Sequence, residues 1–193
     1  MQIKIIDHLE RFDEVAVNRL IEQLPTWRKE IALKFRHFEG KRESALAYHA
    51  LCQLLREKFD IDCQPTFAIG EHGKPTLMEF PHLNFSLSHC KEAVGCLIDE
   101  HPCGLDIEHI RPVNESLIRY TMNEDEVKKI MEARCPEKVF TELWTRKEAV
   151  GKLRGVGIGE DLHKALLPEA LKGIELQTSF FDSYIVSTAI VSS

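Results

Sequence analysis

The chain lacks any long apolar run and any sign of an export signal. Its longest hydrophobic stretches are far shorter than the roughly 20 residues that span a bilayer. Residues 1–7 also lack the apolar region and the small-residue cleavage site of a signal peptide. We therefore expect a cytoplasmic protein that has no membrane partner.

The sequence also lacks cysteines at a spacing that would build a site. Its six cysteines include no CxxC pair, and the chain of 193 residues is too long for a disulfide-stapled mini-domain. The histidines and cysteines between residues 89 and 103 fit no structural zinc pattern. We therefore expect reduced, mostly buried thiols.

Positive charge is in deficit, because 25 lysines and arginines face 31 acidic residues and leave a formal charge of -6. A general nucleic-acid binder needs a basic face, so this balance argues against one. The tract from Arg28 to Arg42 differs, with six basic and two acidic residues. Such a local anion site indicates a small phosphorylated ligand. On charge alone, a solvated helix surface explains this tract equally well.

The chain has no low-complexity segment and no short repeat, and its order of helices and strands repeats coarsely. The pattern predicts an α+β fold made of two similar halves, residues 1–101 and 102–193, with a cleft between them. The predicted strands cover residues 2–6, 65–69, 83–87, 93–98, 103–109, 173–177 and 183–191. The predicted helices cover residues 14–24, 42–59, 115–120, 124–133 and 136–153.

The predicted strand at residues 103–109 carries two carboxylates on one face. Strand alternation sends Leu105 and Ile107 into a core, so Asp106 and Glu108 stand together on the opposite face. Two adjacent carboxylates repel each other unless a positive group lies between them, and a hard divalent cation suits oxygen ligands. A solvated strand face is the simpler explanation of this pair taken alone.

The predicted helix at residues 136–153 carries a stripe of functional residue types. Trp144, Glu148 and Lys152 are spaced i, i+4 and i+8, so they lie along one side. An exposed Glu–Lys pair at this spacing contributes only about 0.2–0.5 kcal/mol. Because the stripe begins at a tryptophan, we expect it to face protein or ligand.

Two connections display groups that could bind an anion. The glycines at residues 70 and 73 free the backbone of a turn that carries Lys74, and Ser88 and His89 end a predicted strand. An incidental lysine and a structural histidine are the ordinary explanations. Their combination with the nearby carboxylates favours an anionic ligand.

Together these motifs resemble the surfactin-synthetase (Sfp) type of 4'-phosphopantetheinyl transferase. The likeness rests on Gly-Lys-Pro at residues 73–75, Asn-Phe-Ser-Leu-Ser-His at 84–89, and Gly-Leu-Asp-Ile-Glu at 104–108 paired with the helix at 144–152. The match in order and spacing spans residues 28–159.

This resemblance implies two halves related by a pseudo-twofold axis, with coenzyme A in the cleft between them. The implied reaction transfers the phosphopantetheine arm to a serine of an apo acyl or peptidyl carrier protein and releases 3',5'-ADP. Asp106, Glu108 and Glu148 would hold Mg²⁺ on the pyrophosphate of coenzyme A. Lys152 would meet the phosphate or the leaving group. The implied coenzyme A contacts are Lys74, Ser86, Ser88 and His89, with Arg28 at the 3'-phosphate.

The chain departs from the family pattern at Ile31, where relatives often have a second base. Part of the clamp on the 3'-phosphate is therefore missing, and Arg42 or Lys41 are the candidates to replace it. Lys147 is a further candidate for a phosphate contact.

The chemistry of phosphoryl transfer leaves some roles open. We predict Glu148 as the general base and Lys152 as the cation or acid at the leaving group, although Glu148 could equally be a pure metal ligand. A divalent-metal nuclease or phosphohydrolase is the alternative enzyme, and a non-catalytic coenzyme A or nucleotide binder is the third class. Internal pseudo-symmetry would make a monomer sufficient.

Overall fold

The computed structural model describes residues 1–70, 73–156 and 162–192. The end of the family-like stretch, after residue 156, and part of the turn before Lys74 lie outside these ranges. The first half of the chain builds a three-stranded antiparallel sheet and a separate two-stranded hairpin. Its elements are β1 (Gln2–Asp7), α1 (Glu14–Glu22), α2 (Thr26–Leu33), α3 (Phe38–Phe59), β2 (Phe67–Ile69), β3 (Pro75–Leu77), β4 (Asn84–His89) and β5 (Ala93–Asp99).

The second half builds another three-stranded antiparallel sheet. Its elements are β6 (Cys103–His109), α4 (Glu115–Thr121), α5 (Glu124–Met131), α6 (Pro136–Arg154), β7 (Ile174–Phe180) and β8 (Tyr184–Val191). Short 3-10 turns lie at Leu9–Arg11 and Leu162–Lys164.

The two halves share one plan. In each half, a first strand is followed by helices, of which the last is the longest. The half ends with a hairpin, β4–β5 or β7–β8, whose second strand lies at the centre of the sheet. The strand orders are β1-β5-β4 and β6-β8-β7. The prediction of an α+β fold is confirmed. The pseudo-twofold axis and the division after residue 101 stay predictions, although β5 ends at Asp99 and β6 begins at Cys103.

Local sequence signals account for several helix starts. The side chain of Asn114 accepts a hydrogen bond from the backbone of Leu117, and Asn123 forms a capping box with Glu126, as their positions before α4 and α5 predict. Within the basic tract the predicted helix begins only at residue 42, yet α2 covers the start of the tract and α3 begins within it at Phe38, in agreement with the alternative of a helix surface. Of α2 only Ala32 is buried, so its sequence carries little helical periodicity.

A close approach of α6 to β6 fixes the relation of these two elements. A Cβ atom at Gly104 would lie 2.0 Å from the carbonyl oxygen of Ala149 and 2.5 Å from the backbone nitrogen of Leu153. Only glycine fits there. Because Gly104, Asp106 and Glu108 share one face of β6, this approach turns both carboxylates toward α6.

The opposite face of β6 joins the hydrophobic core. Leu105 and Ile107 are buried in a cluster with Leu97, Tyr184 and Val186. This confirms the predicted alternation along the strand. All six cysteines are free thiols, but only Cys96 and Cys103 are buried, so the expectation of mostly buried thiols is wrong. Within the described ranges, no helix is both long enough and apolar enough to cross a bilayer.

Candidate active site

The two sheets meet along a seam between β4 and β6. The Ser86 hydroxyl accepts a hydrogen bond from the backbone N–H of Leu105 at 3.0 Å, and the Ser88 hydroxyl accepts one from Ile107 at 3.1 Å. Both serines are buried. Serine side chains thus hold β6 beside β4. The sequence resemblance assigned these hydroxyls to coenzyme A, and that assignment stays a prediction.

Asp106 lies at the centre of the site, with only 4% of its surface exposed. Its Oδ1 atom accepts hydrogen bonds from the Ser88 hydroxyl at 3.0 Å and from Lys152 Nζ at 2.7 Å. Its Oδ2 atom is buried and has no hydrogen-bond partner among the described residues. A buried carboxylate oxygen is costly to leave without a partner, so Oδ2 marks a place for a cation or a ligand.

Burial, helped by the negative charge of Asp106, raises the pKa of both Glu108 and Glu148. Burial raises the pKa of Glu148 to about 7, and the negative charge of Asp106 is the next cause. Burial also raises the pKa of Glu108, again with Asp106 as the second cause. Trp144 donates its indole N–H to Glu108 at 3.4 Å. The three predicted metal ligands therefore interact across the gap between β6 and α6.

These carboxylates fit a Mg²⁺ ion that a substrate helps to bind. Within the described residues, no group of three or more His, Cys, Asp or Glu side chains is arranged to hold a metal ion alone. Mg²⁺ commonly takes one or two carboxylates and completes its shell with water and substrate phosphates. The unpartnered Asp106 Oδ2 and the repulsion among the three acids match that need. The full three-carboxylate ligand set stays a prediction.

Lys152 joins α6 to this centre. Its ammonium bonds the Ser88 hydroxyl at 2.9 Å as well as Asp106, and 31% of its side chain remains exposed. It lies one turn after Glu148, so the stripe predicted on α6 does face the carboxylates of β6. The structure brings together the two segments on which the resemblance depends.

Lys74 is placed differently from the sequence expectation. The sequence pattern displayed it at the tip of a turn, but its Nζ atom donates to the backbone oxygens of Cys103 at 3.0 Å and Leu153 at 3.1 Å. Burial lowers its pKa. It fastens the turn to the start of β6 and the end of α6. A cavity of about 270 Å³ lies here, lined by residues that include Lys74, Ser86 and Lys152.

The predicted contacts for the 3'-phosphate gather around the first half of α3. Arg28 donates through Nη2 to the backbone oxygen and the hydroxyl of Ser44, at 2.6 and 2.9 Å. The Arg42 guanidinium lies 5.6 Å from the centre of the Phe38 ring.

His89 belongs to the same region, because its Nδ1 atom is 3.1 Å from an oxygen of Glu43. The sequence reading missed Glu43, an acid next to Arg42 in the middle of a predicted anion site. No sequence signal distinguished it from an ordinary helix-surface acid. The roles of Arg28, Arg42 and His89 toward coenzyme A stay predictions.

Lys147 does not reach the site, so its predicted phosphate contact is wrong. Its side chain is fully buried and donates to the backbone oxygens of Thr121 and Leu162, at 3.0 and 2.7 Å, and to Glu126 at 2.6 Å. A signal was present in the sequence. Lys147 follows Leu143 by four residues and precedes Val150 by three, which puts it on the apolar face of α6.

Comparison with known proteins agrees with this geometry. The model of the 4'-phosphopantetheinyl transferase superfamily matches residues 102–188, which contain β6 and α6. The 4'-phosphopantetheinyl transferase psf-1 of Bacillus pumilus is 29% identical over 161 residues, covering 80% of this chain and 69% of that protein. Sfp of Bacillus subtilis (strain 168) is 26% identical over 164 residues, covering 82% and 73%.

A third relative matches a shorter part of the chain. The 4'-phosphopantetheinyl transferase AcpT of Salmonella typhi is 40% identical over 97 residues, which are 47% of this chain and 50% of that protein. The family match over residues 102–188 and these relatives, together with the paired β6 and α6 motifs, lead to one conclusion: the chain resembles the 4'-phosphopantetheinyl transferase superfamily.

Proposed function

We propose that this protein transfers the 4'-phosphopantetheine arm of coenzyme A to a serine of an apo acyl or peptidyl carrier protein, with Mg²⁺, and releases 3',5'-ADP. In this reaction the serine oxygen forms a bond to the phosphorus that carries the pantetheine arm. The bond from that phosphorus to the 3',5'-ADP oxygen breaks. We further propose that the enzyme is a cytoplasmic monomer.

One observation carries the proposal: Asp106 faces α6 with one oxygen bonded to Lys152, while the other is buried and has no hydrogen-bond partner in the described part of the chain. Two more carboxylates with raised pKa lie within electrostatic reach. Such a site repels a bare diphosphate and attracts a cation that brings a diphosphate with it. When bound, Mg²⁺ would supply charge neutralisation on the phosphoryl oxygens.

Glu148 is suited to accept the proton of the carrier serine. A general base works best when its pKa lies near the operating pH, and burial raises the pKa of Glu148 to about 7. Lys152 keeps a partly exposed ammonium beside the same centre, so it can stabilise the negative charge that develops on the departing phosphate. Asp106 orients Lys152 through their direct contact.

The net charge disfavours the alternative of a nuclease. A nucleic-acid substrate needs a basic groove, whereas this chain carries a charge of -6 and three acids at the site. The names of the relatives state the transfer of 4'-phosphopantetheine, and a serine of a carrier protein is the acceptor that the family resemblance implies. A binder without activity would not need the Glu148 and Lys152 stripe.

The test is an intact-mass measurement on a panel of apo acyl and peptidyl carrier proteins, incubated with the enzyme, Mg²⁺ and coenzyme A. We expect at least one carrier to gain the mass of phosphopantetheine. Glu148→Gln and Lys152→Ala should lose this turnover while remaining folded. Lys58→Ala, an exposed change on α3 away from the site, should keep it.

The contrary result is equally clear. No mass gain across the panel, together with Mg²⁺-dependent cleavage of DNA or RNA, would support the nuclease instead. Near-normal turnover in either site variant would remove the role assigned to that residue.

A further inference from the structure

The hydroxyl of Ser88 joins three elements of the site. It donates to Asp106 Oδ1 at 3.0 Å and accepts from Ile107 N–H at 3.1 Å and from Lys152 Nζ at 2.9 Å. A serine hydroxyl has one hydrogen to donate and two lone pairs, so these bonds use its whole capacity, and the predicted contact of Ser88 with coenzyme A would have to replace one of them. Ser88 is 6% exposed.

We infer that Ser88 is a positioning residue that sets the Asp106 carboxylate for the cation and holds Lys152 beside it. This inference rests on the proposed function, because it assumes that a divalent cation binds at Asp106. Ser88 and Lys152 both engage Oδ1, which leaves Oδ2 as the unpartnered oxygen. Rotation of the carboxylate would break the bonds at Oδ1, so Ser88 keeps Oδ2 available to a ligand.

A purely structural role is the competing explanation, and the neighbouring serine provides its control. Ser86 makes the same kind of seam bond, accepting from Leu105 N–H at 3.0 Å, and is 7% exposed. It makes no hydrogen bond to Asp106 or Lys152 within the described part of the chain. Removing either hydroxyl therefore breaks a hydrogen bond of the seam, but only the loss of the Ser88 hydroxyl also removes a hydrogen bond to the Asp106 carboxylate.

The experiment measures cation binding without turnover. Mn²⁺ suits the same oxygen ligands as Mg²⁺, and its free fraction can be followed by electron paramagnetic resonance in the presence of saturating coenzyme A and no carrier protein. Ser88→Ala should weaken Mn²⁺ binding about 10- to 100-fold, as expected for a partner that orients a metal ligand. Each variant is titrated at a coenzyme A concentration that saturates that variant, so that a change in coenzyme A affinity does not enter the comparison. Under this condition Ser86→Ala should change Mn²⁺ binding less than about twofold, although both variants lower the urea midpoint by similar amounts.

A conservative variant tests the hydroxyl itself. Ser88→Thr keeps the hydroxyl and should bind Mn²⁺ more tightly than Ser88→Ala. If Ser88→Ala does not fold, Ser88→Cys replaces it, because a thiol makes weaker hydrogen bonds at similar size.

Two results would overturn the inference. Equal Mn²⁺ affinities in Ser88→Ala and Ser86→Ala, whether lowered or unchanged, would make Ser88 a seam residue only. If the wild-type protein with coenzyme A binds no Mn²⁺, the metal assigned under the proposed function fails and the inference fails with it. The two failures are distinguished by the wild-type titration.

Discussion

Replacing Glu148 by glutamine should stabilise the metal-free protein while abolishing its activity. The carboxylate is half-buried near two other acids, and burial raises its pKa to about 7 from an ordinary value of 4.5. Keeping Glu148 charged in the folded state therefore lowers the free energy of unfolding. Glutamine has nearly the same shape and no charge, so it removes this destabilisation.

The size of the effect follows from the raised pKa. A tenfold change in proton affinity corresponds to about 1.4 kcal/mol, so a rise from 4.5 to about 7 corresponds to about 3 kcal/mol as an upper bound. Solvent screens a half-exposed group, which reduces the expected gain to about 1–2 kcal/mol. In the unfolded chain Glu148 loses its proton near pH 4.5, but in the folded protein it keeps the proton until about pH 7. The stability of the wild type therefore falls across that interval relative to the variant.

The assay is urea unfolding of both proteins in EDTA, at pH 8 and at pH 5. We expect Glu148→Gln to be more stable by about 1–2 kcal/mol at pH 8 and nearly equal to the wild type at pH 5. Taking the difference between the two proteins removes the titration of other groups, Glu108 included, to first order. A variant that is less stable at pH 8, or a difference that does not change with pH, would refute the claim that Glu148 is strained by burial and by Asp106.

Two further predictions concern the packing around the site, both measured by urea unfolding. Gly104→Ala should cost about 3 kcal/mol or more, because its Cβ would overlap the backbone of α6. Gly73→Ala should cost only about 1 kcal/mol: its φ is +82°, but its added Cβ meets no atom within 4 Å among the described residues outside its chain neighbours. Equal costs would contradict the close approach of α6 to β6. Lys147→Met should lower the free energy of unfolding by about 3–5 kcal/mol, because it leaves Glu126 buried without its cation. Unchanged stability with a raised KM for coenzyme A would instead support the phosphate contact that the sequence predicted for Lys147.

Elements with strong local periodicity could be predicted from the sequence. The strand that carries Asp106 and the helix that carries Glu148 and Lys152 both follow their expected bounds closely, because alternation and the i, i+4 spacing are properties of a single segment. Helix starts at Asn114 and Asn123 were equally local. Each segment specified which of its faces carried the functional groups.

The residues that pack against a helix or strand face come from distant parts of the chain, and the wrong predictions for Lys147 and Lys74 have that cause. Lys147 was expected to face a ligand, but the partners that neutralise and solvate it come from α4, α5 and the turn at Leu162. Lys74 was expected at an exposed tip, but two carbonyl groups from the other half of the chain bind it. A charged residue type predicts exposure unless distant partners are known.

The two serines of β4 show how much a sequence pattern can and cannot say. Ser86 and Ser88 are two residues apart on a strand, so alternation alone places both hydroxyls on one face. Their bonds to Leu105 and Ile107 depend on the meeting of the two halves, which no spacing within β4 reveals. The pattern thus predicts a polar edge, and only the fold shows that this edge is an internal seam.

Under the proposed function, we expect the charge at the site to make the binding of a cation and of coenzyme A interdependent. Three carboxylates and one ammonium leave an excess of negative charge, which opposes a diphosphate that arrives alone. A cation that arrives alone meets Lys152 already bound to Asp106. With both ligands present, Lys152 would hold the diphosphate and the carboxylates would hold the cation, so each ligand would offset the charge that hinders the other. We therefore expect the ion pair between Asp106 and Lys152 to hold the site together in the absence of ligands and to loosen when both proposed ligands bind.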